Sequence, residues 1–350
     1  MAFIRLAIIG CGAVSHEYGA IARELAEDGL ARVTVTCDTI AERAEETGAW
    51  LDAPARLTDY RDAVARDDVD AVVVLTSMQQ HAHIAHAALE AGKSVLVEKP
   101  MAGSVDEAVR LAEAARLSAG TLVCAPHVVL SPTFRAMLRL IRAGAIGKPL
   151  SARARYGWSG PDWGRHFYEK GGGVLADLGV YNLTTLTGLI GPAHRVAAMT
   201  GIAIPERVVN DEPMRVEAED TAHVLLDFGD SVFAQVLTGF TMQQYRSPAV
   251  EVYGSEGTIQ MLGDDWAPAG YEMWRNDAER WEVYPDPDAD WPWTDGLRHL
   301  VECMLEERPT SSPPEHACHV LEIMDAAKRS SKTGAAVSLA TTFDAAALAI

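Results

Sequence analysis

Ile4-Arg5-Leu6-Ala7-Ile8-Ile9-Gly10-Cys11-Gly12-Ala13-Val14-Ser15 is the stretch on which the reading of this chain turns. Ile4 to Ile9 is a near-continuous apolar run of strand length, and glycines follow it with no linker between. The run is too short for a secretory leader and ends in residues that open a helix, so it reads as the first strand of the fold. A strand, a glycine turn and a helix in direct succession give each small residue a task. Gly10 permits the tight turn, Gly12 lets a pyrophosphate come close to the backbone, and the helix start at Ala13 and Val14 supplies N–H groups and the positive end of a dipole. Ser15 stands where a third glycine is usual, a position that needs only a small residue for helix–strand packing.

Working outward, Asp38 closes the next apolar run, Val33 to Cys37. It lies near the spacing of about 20 residues expected for an acid that accepts both ribose hydroxyls. The same carboxylate repels a 2′-phosphate, which predicts NAD rather than NADP; tighter binding of NADP in a direct titration would overturn the assignment. Ala71 to Thr76, Ser94 to Glu98 and Thr121 to Ala125 are three more apolar runs of the kind a doubly buried parallel strand requires. Helical stretches separate them, one announced by Ser104 and Glu107 as a capping box before Ala108 to Ala119. Thr76-Ser77 and Glu98-Lys99-Pro100 thereby fall at the carboxyl edge of the sheet, where open α/β sheets bind ligands.

Beyond about residue 150 the pattern changes to alternating strands with hairpin signals. Thr221 to Phe228, the turn Gly229-Asp230 and Ser231 to Thr238 make one pair; Val250 to Tyr253, Gly254-Ser255-Glu256-Gly257 and Thr258 to Leu262 make another. Two helices, near Trp293 to Glu306 and Pro314 to Ser331, follow an exposed loop expected at 286–290. The expected division is therefore residues 1–125, an α/β domain with a doubly wound parallel sheet, and residues 126–350, an α+β domain with a largely antiparallel open sheet.

Length and composition agree with two folded domains: 350 residues, 48% hydrophobic and 23% charged, fit neither a disordered nor a membrane class. A formal net charge of −19 without a basic stripe excludes nucleic acid as an expected partner. Five scattered cysteines without CxxC spacing argue against disulfides or a zinc knuckle, and a cytoplasmic location is expected.

Ala71 to Thr76, His81, and Ala88-Leu89-Glu90-Ala91-Gly92-Lys93-Ser94-Val95-Leu96-Val97-Glu98-Lys99-Pro100 together resemble the Gfo/Idh/MocA oxidoreductases, whose hallmark is Glu-Lys-Pro. Further matches are Ile141 to Pro149, Gly171-Gly172-Gly173 followed by Asp177, Gly179 and Tyr181, and Tyr253 to Gly257. The resemblance implies a Rossmann domain followed by an α/β domain whose open sheet mediates oligomerisation, hence a homodimer or homotetramer. It implies NAD as cofactor, with Gly10, Gly12, Ala13, Val14, Asp38, Thr76, Ser77, His81, Glu98 and Lys99 around it. Ser77 and Met78 stand where the family usually has Pro and Asn, and His127 stands near a common Asn.

Moving a hydride from a carbinol carbon to nicotinamide requires removing the hydroxyl proton, a task open to lysine and to tyrosine. The glycines at 171 to 173 deliver a helix on which Asp177 and Tyr181 are four apart and share a face. The Asp-xxx-Tyr arrangement resembles that of dihydrodiol dehydrogenase and glucose–fructose oxidoreductase. By that resemblance Tyr181 gives or takes the proton, Lys99 polarises the substrate oxygen and Asp177 holds a neighbouring hydroxyl. The implied substrate is a carbohydrate-like alcohol: a sugar, glycoside, cyclitol or dihydrodiol. Two alternatives stay open, a redox-neutral NAD-dependent glycosidase and a non-catalytic NAD-binding sensor.

His81, His83 and His86 share helical spacing, as do His299 with Cys303 and His316 with His319, but no carboxylate cluster accompanies them and no metal is expected. Trp158, Trp163, Arg165 and His166 precede the glycine run and form a candidate aromatic lining for a sugar pocket.

Overall fold

The computed structural model describes residues 3–246, 248–286 and 290–348, so residues 287–289 of the expected loop lie outside the described residues. The first half of the chain runs β1 (Ile4–Ile9), α1 (Val14–Glu27), β2 (Ala31–Cys37), α2 (Ala41–Trp50), β3 (Ala55–Leu57), α3 (Tyr60–Val64), β4 (Ala71–Val74), α4 (Met78–Glu90), β5 (Ser94–Val97), α5 (Val105–Leu117), β6 (Leu122–Cys124), α6 (Pro132–Arg142) and β7 (Pro149–Gly157). Then come α7 (Val180–Ile190), β8 (Arg195–Gly201), β9 (Glu206–Val209), β10 (Glu212–Arg215), β11 (Thr221–Asp227), β12 (Phe233–Gly239), β13 (Val250–Gly254), β14 (Gly257–Asp264), β15 (Ala267–Arg275), β16 (Arg280–Pro285), α8 (Gly296–Leu305), α9 (Pro314–Thr333) and β17 (Val337–Ser338).

Packing divides the chain into two units, Met1–His127 with Pro292–Cys318, and Val128–Trp291 with His319–Ile350. In the first, the described residues form a parallel sheet of order β3-β2-β1-β4-β5-β6, the doubly wound order with its switch point between β1 and β4. Leu6, Ile8, Val33, Val73, Leu96 and Val123 build its core with Tyr18 and Leu25 of α1. The same core takes in Leu297, Leu300 and Val301, all fully buried, so α8 packs in the first unit and a linear boundary at 125/126 does not describe the fold. Its amphipathic stripe finds its apolar partner in β1, β5 and β6 rather than in the sheet that precedes it in sequence.

The strands end earlier than the apolar runs suggested: β4 stops at Val74 and β5 at Val97, leaving Thr76, Glu98 and Lys99 in loops beyond the carboxyl ends. β3 was not legible, being three residues long with a central arginine. The capping box is half-realised. Ser104 Oγ accepts from the Glu107 N–H at 3.3 Å, but the Glu107 carboxyl reaches the Gly103 N–H instead of that of Ser104.

The second unit holds a sheet of order β16-β15-β14-β13-β7-β12-β11-β8-β17, antiparallel except for the β7–β12 pair. Alternation along its strands buries Val224, Leu226, Ala234, Val236, Ala152 and Ala154 on the face that α7 covers, while Leu225, Phe233 and Met199 stay exposed on the other. Between Gly173 and α7 the backbone makes one π-helical turn, Leu175–Gly179, with the Val180 N–H reaching back to Leu175 O.

Candidate active site

Gly10 takes φ +97°, and a Cβ there would stand 2.6 Å from the Leu75 carbonyl, so the crossing of the glycine turn over the end of β4 requires glycine. A Cβ on Gly12 would meet nothing within 4 Å, which leaves an open approach to the backbone at the start of α1. Ala13 precedes α1 and makes no side-chain cap, so no side chain competes with a ligand for the first-turn N–H groups. Ser15, in the third-glycine position, is buried and donates its hydroxyl to Gly12 O at 2.6 Å. Asp38 joins this loop directly: Oδ2 accepts from the Cys11 N–H at 2.8 Å and Oδ1 from the Ile40 N–H at 2.9 Å. The carboxylate thus caps the turn into α2 and also clasps the glycine turn, with a lone pair on each oxygen still available to ribose hydroxyls.

At the end of β5 the Glu98 side chain is buried and turned inward. Tyr18, from α1, donates its hydroxyl to Glu98 Oε1 at 2.8 Å, and Glu98 Oε2 accepts the Lys99 N–H at 2.7 Å. His127 Nε2 lies 3.1 Å from the Tyr18 oxygen; since that hydroxyl donates to Glu98, the imidazole is the donor and carries its proton on Nε2. Burial pushes the His127 imidazole down to about 3, so it is neutral, with Nδ1 unpartnered against Gly296, where a Cβ would lie 2.2 Å from Nδ1. His127 is therefore a sealed support of the Glu98 carboxyl. The Lys99–Pro100 peptide is cis, and Lys99 itself is half-buried.

His81 is 2% exposed and sits between two strand ends, with Nδ1 2.7 Å from Pro100 O and Nε2 2.9 Å from Thr76 O. Both ring nitrogens are taken up by the backbone, so it fastens the loop carrying Thr76 and Ser77 to the loop carrying Lys99. His83 and His86 face Glu107 and Glu90 instead, and the three imidazoles do not converge. His299 lies against Cys303 and accepts the Ser311 N–H at 3.2 Å, and His319 accepts the Ala193 N–H at 3.0 Å, both in buried structural settings.

In the second unit Asp177 lies in the π-helical turn and Tyr181 in the first turn of α7. The expected plain α-helix over both residues is corrected by that wider turn, a device frequent at functional sites. Gly173, at φ +106°, admits the Glu219 carboxyl to within 2.4 Å of where a Cβ would be, which ties the turn's entrance in place. Tyr156, at the end of β7, meets the Tyr181 ring edge-on at a centroid distance of 6.0 Å. Burial raises the Tyr156 phenol, and Tyr181, Asp265 and Asp177 push it the same way, so its hydroxyl stays neutral. Tyr156 has no motif of its own, and only its apolar alternation with Ala152 and Ala154 on β7 hinted at an inward face.

Asp265 is fully buried behind this cluster, with Oδ2 accepting from Asn182 Nδ2 at 2.7 Å. Burial, aided by the charge of Asp264, raises its carboxyl to about 7 despite the Asn182 hydrogen bond. A raised folded-state value means that stability is full below the ordinary carboxylate range and is lost as pH rises through about 7. Asp265→Asn should remove that slope, making the variant more stable than the parent by roughly 2–4 kcal/mol at alkaline pH and closest to it near pH 4. Urea unfolding at pH 5 and pH 9 checks this; parallel losses for both proteins would mean the carboxyl does not titrate on folding.

Among the described residues no helix is long and apolar enough to cross a membrane, and no group of acids, histidines and cysteines forms a metal cage. Residues 4–125 match the oxidoreductase family described as having an NAD-binding Rossmann fold, and residues 134–260 match the GFO/IDH/MocA C-terminal domain. The chain is 30% identical over 263 residues to 1,5-anhydro-D-fructose reductase of Ensifer adhaerens, covering 73% of this chain and 74% of that protein. It is 24% identical to trans-1,2-dihydrobenzene-1,2-diol dehydrogenase of Bos taurus, over 87% of this chain and 90% of that one. Levoglucosan dehydrogenase, solved with NADH and levoglucosan, shares the fold at a TM-score of 0.86 and 20% identity, over 96% of this chain and 99% of the other.

Proposed function

This chain belongs to the Gfo/Idh/MocA oxidoreductases, and from that membership we propose that it moves a hydride between NAD and the carbinol carbon of a sugar, glycoside, cyclitol or dihydrodiol. The observation that carries the reading is the gathering of the glycine turn, Asp38 and the Glu98-Lys99 loop at the carboxyl edge of one parallel sheet. An open approach at Gly12 and an uncapped helix start fit the pyrophosphate, and the Asp38 carboxylate fits the ribose of NAD. NAD, when bound, supplies the hydride acceptor.

The chain's own groups handle the proton and the substrate's orientation. Lys99 polarises the substrate oxygen. Tyr181 takes the hydroxyl proton on oxidation and returns it on reduction, with Asp177 holding a neighbouring hydroxyl. Thr76 and Ser77 flank the cofactor, and His81 acts on it through the two carbonyls it fastens. Tyr181→Phe keeps the ring against Tyr156 and removes only the hydroxyl, so turnover should fall at least about tenfold with melting temperature unchanged. An unchanged rate would remove Tyr181 from the chemistry.

The direct experiment is NADH absorbance on mixing the protein and NAD⁺ with a panel of sugars, glycosides, inositols and vicinal diols. Signal with one class names the substrate. Silence together with measurable NAD binding would favour the redox-neutral glycosidase or the sensor. The exposed apolar residues Met199, Leu225 and Phe233 on the uncovered sheet face support a homodimer or homotetramer, and the five free cysteines support a cytoplasmic location.

A further inference from the structure

The loop that follows β7 holds an aromatic pair which the proposed chemistry does not use. Trp163 is 59% exposed, more than any other described tryptophan, yet its ring lies against Trp158 at a centroid distance of 5.4 Å and an interplanar angle of 32°. An indole left this open loses apolar burial, which a fold normally recovers by turning the ring inward.

Here the backbone leading to the ring is held in place. Arg207 Nη1 donates to Ser159 O at 2.6 Å, the Tyr168 hydroxyl donates to Pro161 O at 2.8 Å, and the Asn210 N–H donates to Asp162 O at 2.6 Å. Arg207 is itself set against the buried Asp220 and over the Tyr168 ring. Three successive anchors, each from a different residue, fix the segment that presents Trp163. The indole is a preorganised surface on a rigid loop.

The chain connects it to Tyr181 through the end of β7. Tyr156 meets Tyr181 edge-on, and Trp158 is the first residue past the end of β7, two beyond Tyr156, with its N–H donating to Gly239 O at 3.1 Å. Two residues of extended chain span about 6.6 Å, comparable to one sugar ring. Two ring pairs, Tyr156 with Tyr181 and Trp158 with Trp163, are thus joined through two residues at the end of β7.

We propose that Trp158 and Trp163 form a stacking subsite for a second ring, glycosyl or aryl, attached to the ring that is oxidised, which makes a glycoside the substrate class. The flat C–H face of a pyranose or an aryl aglycone lies on the indole, while the polar edge stays in water beside His166, which is exposed. This rests on the reading that Asp177 and Tyr181 face the substrate, and its test is kept separate from turnover.

The full chain, loaded with NAD⁺, is titrated with methyl and phenyl β-glycosides of glucose, galactose, mannose and xylose, following tryptophan fluorescence. In at least one sugar configuration the phenyl glycoside should bind about tenfold more tightly than the methyl glycoside and quench the indole. Trp163→Ala should abolish that preference while melting temperature and NAD affinity stay constant, and Trp163→Phe should restore part of it. Equal binding of methyl and phenyl glycosides, a preference that survives Trp163→Ala, or no binding at all would overturn the subsite. NADH formation in the substrate panel without this preference would sink the subsite alone. The preference without NADH from any alcohol would instead leave the subsite standing and sink the dehydrogenase reading.

Discussion

Replacing Lys99 by methionine is expected to lower kcat for NAD-dependent alcohol oxidation by about 10²–10³-fold, the range that one charged donor aimed at a developing oxyanion contributes. Methionine keeps most of the length and apolar stem of lysine and removes the charge and its three donors. The loop should survive, because it has two anchors apart from the Lys99 side chain. The Lys99 N–H is held by Glu98 Oε2, and the next carbonyl, Pro100 O, is held by His81. The expected pattern is therefore a collapse in kcat with NAD affinity changed by no more than a few-fold and an unaltered melting temperature. Stopped-flow or steady-state NADH absorbance, with NAD binding by fluorescence, reads both quantities. A loss confined to NAD affinity, with kcat retained at saturation, would make Lys99 a cofactor contact and take it away from the substrate oxygen.

The parallel sheet was legible because doubly buried strands are written as continuous apolar runs, and Ile4 to Ile9 is bounded in the sequence as it is in the fold. Strand ends were less so: Thr76 and Glu98 continue their runs in composition, but β4 and β5 stop short of both. Asp38 was singled out by spacing as a ribose-binding acid, and the structure sets its carboxylate against the glycine turn through the Cys11 N–H. The support beneath Glu98 had no such trace. Tyr18 and His127 lie 80 and 29 residues from it, and only the closure of α1 and β6 around β5 makes them neighbours.

The second unit shows the same limit. Asp177 and Tyr181 are visible as a helical pair, but a π-helical turn depends on what packs at its entrance, here Glu219 against Gly173, a contact 46 residues distant that no local periodicity records. The return of Pro292–Cys318 to the first unit is hidden for a related reason. Amphipathic helices show that a stripe must be buried, not against which sheet, and α8 fits its Leu297, Leu300 and Val301 into the core of β1. His81 was expected beside the cofactor from its position in the motif. The structure adds that its ring is spent on two carbonyls, so any effect on the cofactor passes through the backbone.

Two single-methyl changes in the glycine turn should separate the fold from the cofactor site. Gly10→Ala places a Cβ 2.6 Å from the carbonyl carbon and oxygen of Leu75 and 2.7 Å from the Thr76 nitrogen, at φ +97°. All three are backbone atoms at the end of β4, which cannot swing aside as a side chain would. The turn must either leave the positive φ or part from the strand beside it. The combined strain is on the order of 3 kcal/mol, enough to lower the melting temperature by roughly 5–10 °C, with NAD affinity falling as well. Gly12 does not take a positive φ, and its added Cβ would meet nothing within 4 Å. Gly12→Ala should therefore melt as the parent does and still lose at least about tenfold in NAD affinity, because the methyl occupies the open approach a pyrophosphate needs. Differential scanning calorimetry and NAD titration on both variants decide it. If Gly12→Ala binds NAD as tightly as the parent, the open face of the turn is not where the pyrophosphate lies, and the glycines serve only the strand crossing that Gly10 makes possible.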